Sequence, residues 1–254
     1  MSIFIFVLGL IFGSFANVII YRLPRDQSIV RPRSNCIHCK KQISFFDNVP
    51  LLSFVLLMGK CRHCHGKISI RYPIVEFLVG FVFLAVYKHV GFGFSLFFRD
   101  LPFVLILIII AFIDVEHRII PDELSLGGLV LGLVTSFLNP ELGIVSSFIG
   151  AGFGFCVFYG LAWCYFKITQ QSGLGGGDIK LLAMLGAFLG FHGIIIILML
   201  SSISGSIIGI LWALWNKEKN LLKTAIPFGP FLVVSGLFYY LIGNPLWLQF
   251  MIPI

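Results

Sequence analysis

Apolar runs recur along this chain at lengths suited to crossing a bilayer, and they leave a soluble fold almost no room. A membrane's hydrocarbon core is about 30 Å thick and takes about 20 helical residues to span. The expected spans are Ile3–Tyr21, Pro73–Val90, Leu101–Ile113, Leu124–Leu138, Ile144–Phe166, Ile179–Gly190, His192–Trp215 and Ile226–Ile242. A single break at Phe191-His192-Gly193 parts the sixth from the seventh. Charged residues make up 11% of the chain, against roughly 25% in a soluble domain. The expected fold class is therefore an all-α polytopic membrane protein with about eight transmembrane helices. The apolar start, Met1 to Ile20, lacks a basic n-region and a small-residue cleavage site, so it reads as a retained span.

Basic residues set the expected orientation. Ten of the 18 Lys and Arg residues lie between Arg22 and Arg71. Cytoplasmic loops carry the basic excess, which puts this segment inside and Met1 outside. Alternation then places Arg118, Lys167, Lys180 and the cluster Lys217, Lys219, Lys223 inside as well, leaving only Lys88 and Arg99 outside. Ile254 is expected outside. The net charge of +7 is read as this topology signal and carries no pointer to nucleic acid.

The basic segment also holds Cys36-Ile-His-Cys39 and Cys61-Arg-His-Cys64, a C-x₂-C-x₂₁-C-x₂-C pattern. Cysteines of a cytosolic loop stay reduced, so close pairs favour metal over disulfide. Four thiolates suit one tetrahedral zinc. His38, His63 and His65 stand beside them as substitute ligands or as solvated neighbours. A loop of this size builds little core of its own, and a zinc tying Cys36/Cys39 to Cys61/Cys64 would fold it as a small ribbon. The run Leu51–Met58 between the pairs is expected to lean on the membrane surface. The expected division is residues 1–21 as a first span, 22–72 as a cytosolic zinc loop and 73–254 as the membrane core. Within that core, Cys156 and Cys164 read as small buried hydrophobes. Gly128/Gly132, Gly150/Gly154, Gly186/Gly190 and Gly205/Gly209 have the small-xxx-small spacing that lets helices pack closely.

Carboxylates are scarce, and two lie in unusual places. Asp114 follows the apolar run Phe103–Ile113, and Asp178 ends Gly173-Leu-Gly-Gly-Gly177 just before another apolar run. Both fall at the cytoplasmic ends of expected spans, where an ionisable group costs free energy and points to function. Each also has a plain reading: Asp178 as a helix N-cap, Asp114 as a partner of Arg118. Asp122 reads mainly as a cap of the next span. Held together, Asp114 and Asp178 would share a proton, one serving as base toward water and the other as acid toward the scissile group. The glycine run allows a tight turn and the approach of an extended peptide. It lacks the G-x-x-x-x-G-K-[ST] of a phosphate loop.

The motifs, taken together, resemble one family. Gly13-Ser-Phe-Ala-Asn-Val18 with Tyr21-Arg-Leu-Pro24, the two cysteine pairs, Asn48-Val-Pro50, Ile70-Arg-Tyr-Pro-Ile-Val-Glu76, Asp114 with Pro121-Asp122, Gly175-Gly-Gly-Asp-Ile-Lys180 and Ile226-Pro-Phe-Gly-Pro230 are similar to the type IV prepilin peptidase family from end to end. The resemblance implies an aspartic protease of the bacterial cytoplasmic (inner) membrane, multi-pass, with its active site at the cytosolic face. It implies Asp114 and Asp178 as the catalytic pair. The substrates it implies are prepilins or pseudopilins of pilus or secretion systems, cut after a glycine. Members with the cysteine loop also N-methylate the new amino terminus with S-adenosylmethionine. No Gly-rich methyltransferase loop is present, and the methyl donor's site is not legible. Glu76 is the best candidate for a polar role near it, with a structural pairing to Arg71 as the alternative. The competing readings are a non-enzymatic membrane adaptor that uses the zinc loop, and, more distantly, a proton-coupled transporter.

Overall fold

The computed structural model describes residues 1–139, 142–171, 175–215 and 227–243. Gly173, Lys217, Lys219, Lys223, Ile226 and Ile254, which figure in the readings above, lie outside the described residues. Among the described residues every regular element is helical, and the only bridges are two isolated pairs. The chain divides into two compact units, Met1–Ile109 and Ile110–Ile254.

The first unit holds α1 (Ser2–Arg22), the short α2 (Leu52–Leu56), α3 (Arg71–Val90) and the start of α4 (Leu101–His117). α3 opens with Pro73 in its first turn, where a missing N–H does no harm, and stops at Gly91 with φ 82°. α1 and α3 meet backbone to backbone. A Cβ on Gly13 would lie 2.7 Å from the Cα of Glu76, so only glycine permits this crossing. In lipid such close packing, and not exclusion of water, holds helices together. Between α1 and α3 the chain is mostly loop. Phe45, Phe46, Val55, Leu56 and Met58 are all exposed there, so the apolar run has no protein core to fill.

The second unit holds the end of α4, then α5 (Asp122–Val134), α6 (Gly143–Thr169), α7 (Gly176–Trp215) and α8 (Gly229–Phe238). α7 is 40 residues long, about 60 Å at 1.5 Å per residue, which is twice the hydrocarbon thickness. It is two helices joined at a kink. At Gly190 the backbone turns out of the helix, with φ 72° and ψ −177°, a conformation that favours glycine. The break thus falls one residue before the expected one. Among the described residues, counting α7 once, five helices are long and apolar enough to cross a membrane, while α5 and Gly229–Gly243 are apolar but shorter. The order of apolar segments follows the sequence expectation.

Glycines build the α6–α7 seam. A Cβ on Gly150 would meet the Cα of Gly190 at 2.8 Å, and one on Gly154 would meet the Leu182 carbonyl at 2.6 Å. The pairs Gly150/Gly154 and Gly186/Gly190 therefore do what their spacing suggested. Gly205 does not, since the atoms nearest its missing side chain are 3.5 Å away. One expectation is corrected here. Cys156 and Cys164 are exposed. α6 turns Gly150, Gly154 and Phe158 inward, which puts both cysteines on its outer side.

Candidate active site and metal centre

Asp114 sits in the last turn of α4 and is 5% exposed. Its Oδ2 accepts the backbone N–H of Gly229, at the start of α8, at 3.0 Å. Pro230 follows at the helix start, a position that suits it. A Cβ on Gly229 would stand 2.6 Å from that same oxygen, so glycine is what lets the amide reach the carboxylate. The expected ion pair with Arg118 is not the contact described for this carboxylate. The two residues are joined instead through the Arg118 N–H and the Asp114 carbonyl at 2.9 Å, with Arg118 in the left-handed region at φ 56°.

Asp178 lies in the first turn of α7 and its N–H donates to the Gly175 carbonyl at 3.1 Å. α7 begins at Gly176, so Asp178 stands inside the helix and not at its N-cap. A Cβ on Gly175 would come within 3.1 Å of its Oδ2. Asp178 lies on the same side of Ile120 as Asp114. Ile120 links the two flanks, because its side chain borders both Gly177 and Gly229. Two acids distant in sequence are thus carried on helix ends whose glycines, at 177 and 229, permit close packing around Ile120.

Sequence reasoning missed one partner. Asp122 was read as a cap, yet α5 shows no side-chain cap bond. Its carboxylate instead takes both hydrogen bonds from Lys180 Nζ, at 2.6 and 2.7 Å. The pair ties the start of α5 to the turn of α7 that carries Asp178. The two residues are 58 apart in sequence, and no local spacing announces their pairing.

The metal-ligating residues lie in the first unit. The Sγ atoms of Cys36, Cys39, Cys61 and Cys64 all fall within 4.8 Å of one another, and Cys36 Sγ and Cys64 Sγ are 3.8 Å apart. A tetrahedron with ~2.3 Å zinc–sulfur arms has edges of about 3.8 Å, so the donor set fits zinc. The three histidines stand outside the cluster. Each cysteine pair sits in the same turn. The N–H of Lys40 donates to Cys36 O, and that of His65 to Cys61 O, both at 2.9 Å. The N–H of Cys36 donates to Lys41 O, and that of Cys61 to Gly66 O, also at 2.9 Å. Lys40 and His65 both turn left-handed, at φ 60° and 54°. The bridges Asn35–Gln42 and Lys60–Lys67 close the two turns, which is as much ribbon as the loop forms. The clustered thiols titrate against one another: the backbone N–H of Cys64, then that of His63, holds the Cys61 thiol down to about 6, while the Cys64 thiol among its neighbours is pushed up to about 11. Asp47, held below the usual carboxylate range by the Arg62 guanidinium at 2.6 Å, ties the intervening segment to the second turn.

Glu76 is 7% exposed and its Oε2 accepts the N–H of Leu51 at 2.8 Å. It therefore joins the zinc loop to α3.

Residues 7–90 match the family described as Bacterial Peptidase A24 N-terminal domain, and residues 101–210 match the Type IV leader peptidase family. A prepilin leader peptidase/N-methyltransferase of Myxococcus xanthus is 40% identical over 84% of this chain, a match spanning 63% of that relative's own length. Relatives of the same name from Legionella pneumophila and Aeromonas hydrophila are 39% and 35% identical, covering 89% and 94% of this chain and 85% and 90% of theirs. No solved structure matches. On these two family matches and on relatives of this identity and coverage, the chain belongs to the type IV leader peptidase family.

Proposed function

We propose that this protein is a multi-pass inner-membrane endopeptidase that removes the leader of prepilins or pseudopilins, cutting after a glycine, and then N-methylates the new terminus. The observation that carries the peptidase reading is the meeting of Asp114 with Asp178, with Gly229 N–H fixed on one oxygen of Asp114. Two like charges at short range resist ionising together, so the pair holds one proton between them. One carboxylate takes a proton from water as its oxygen attacks the scissile carbonyl. The other carboxyl gives its proton to the departing nitrogen as the C–N bond breaks. Gly176, beside which nothing stands within 4 Å, leaves room for an extended substrate. Lys180 and Asp122 hold the turn beneath.

The basic loop between Arg22 and Arg71 supports an orientation with Met1 outside and the acids at the cytosolic face. Zinc held by Cys36, Cys39, Cys61 and Cys64 would be structural, since four thiolates leave no open position for water. S-adenosylmethionine supplies the methyl group in the second activity. The test is to incubate the purified full chain with a prepilin and measure the mass of the product's new N-terminus. Loss of the leader and gain of one methyl group are expected. Cleavage that survives both Asp114→Asn and Asp178→Asn would remove the protease reading.

A further inference from the structure

The first unit encloses a cavity of about 580 Å³, walled by α1, the zinc loop and the start of α3. Sites for drug-sized ligands run roughly 300–1,000 Å³. None of the peptidase chemistry uses this space, and two of its wall residues are costly to leave there without a ligand.

Asn17 is 1% exposed. Its Nδ2 donates to the carbonyls of Gly13 and Tyr72, at 3.3 and 3.1 Å, but its Oδ1 has no partner. A buried acceptor left unmet costs about 1–3 kcal/mol. Glu76, also in the wall, is buried and fixed by the Leu51 amide and by the Ser14 hydroxyl. Leu51 reaches it only by standing at φ 59°, a conformation that L-residues rarely adopt. Backbone strain of this kind is kept where the surroundings demand a defined geometry. Here it fixes the direction of one carboxylate. The loop side of the same cavity carries Arg31, Lys41 and Lys67. Toward the helices the space offers Glu76 and Asn17, with Arg22 at the end of α1, and toward the loop it is mainly basic, Asp47 there being paired with Arg62.

A ligand cationic in one part, anionic in another and of nucleoside size answers that polarity. We propose that this cavity binds the methyl donor S-adenosylmethionine, with Glu76 facing its sulfonium and Asn17 Oδ1 accepting one of its N–H or O–H groups. The assignment rests on the methyltransferase reading above. It has a consequence that a merely structural Glu76 would lack. The spent donor, S-adenosylhomocysteine, is neutral at sulfur, so the carboxylate favours the charged donor over the product.

The experiment is calorimetric titration of the zinc-loaded full chain in detergent with each of the two ligands. Glu76→Gln is expected to weaken S-adenosylmethionine about tenfold or more, the scale of a lost charge-assisted contact, and S-adenosylhomocysteine distinctly less. Zinc content and elution profile report whether the variant is folded. Val18→Trp, which fills the cavity from α1 without touching Glu76, is expected to weaken both ligands alike. In the unaltered protein, a photoreactive azido analogue of the donor is expected to label peptides within residues 14–76. Unchanged donor affinity in Glu76→Gln, or label confined to residues 110–254, would overturn the cavity. Equal losses for the two ligands in Glu76→Gln would overturn the sulfonium contact. An unaltered protein that cuts a prepilin but neither binds the donor nor methylates would instead sink the methyltransferase reading itself.

Discussion

From Arg22 to Arg71 the chain makes one five-residue helix, two isolated bridges and a cysteine cluster. From Gly143 to Trp215 its described residues are almost unbroken helix, closed by glycines that let α6 and α7 touch. The first region is polar and builds little core, and its four clustered cysteines are placed to hold a metal in that role. The second is greasy, and backbone contact holds it where the hydrophobic effect has little to act on. The difference teaches where each is fragile. The loop should fail when its ligands go, and the helical seam when a single carbon is added.

The largest expected effect is on the acid pair. Asp114→Asn and Asp178→Asn should each lower cleavage by at least about 10²–10⁴-fold, because an amide neither accepts nor donates the proton required. Zinc content and donor binding should remain, since both belong to the other region. A variant that lost zinc along with cleavage would blur the division. Next in size is the metal. Chelation of zinc, or Cys36→Ser, should loosen residues 34–67 and cut methylation more than cleavage, read by proteolysis of the loop beside the two activities. Equal losses would mean that the loop also holds the acids in place.

A Cβ at Gly186 would run into the backbone of Gly150 and Ala151. Gly186→Val should cost about 1–3 kcal/mol or more through overpacking, measured as a fall in Tm. Gly205→Val, in the same helix but with no atom nearer than 3.5 Å to the added carbon, should be close to neutral. If both behaved alike, the seam would not be the special contact. The smallest effect is expected at Lys180. Its partner Asp122 is 58% exposed, and exposed ion pairs contribute about 0–1 kcal/mol. Lys180→Ala should slow cleavage only a few-fold. The reversed pair, Asp122→Lys with Lys180→Asp, should restore part of the loss if the tie positions Asp178.

Much of this architecture was legible in advance, for physical reasons that vary by residue. The apolar runs put Asp114 and Asp178 at helix ends, because a carboxylate closes one run and opens another, and there they stand. The cysteine spacing set a tetrahedron of donors, because thiolates at x₂ separation lie on one turn. The Lys180–Asp122 pair was not legible, since it depends on how the start of α5 packs against α7. The Gly229 amide on Asp114 was hidden too, as no side-chain chemistry announces a backbone donor. Cys156 and Cys164 misled because the burial expected of cysteine is a rule learned in water, and a lipid-facing helix surface does not obey it.

The bend at Gly190 has a consequence for depth. The stretch of α7 ahead of it is roughly fourteen residues, a rise of about 21 Å, which falls well short of the ~30 Å hydrocarbon layer. From Leu181 to Gly190 every residue is buried in protein, which is what allows a non-helical peptide at that level. A helix this short, carrying Asp178 at its head, draws the acids below the plane of the headgroups unless the bilayer thins around them. Acyl-chain length then acts as a dial on how easily water and leader reach the acids. In vesicles of graded thickness, cleavage should run faster in the thinner ones, and rates indifferent to thickness would place the pair at the surface.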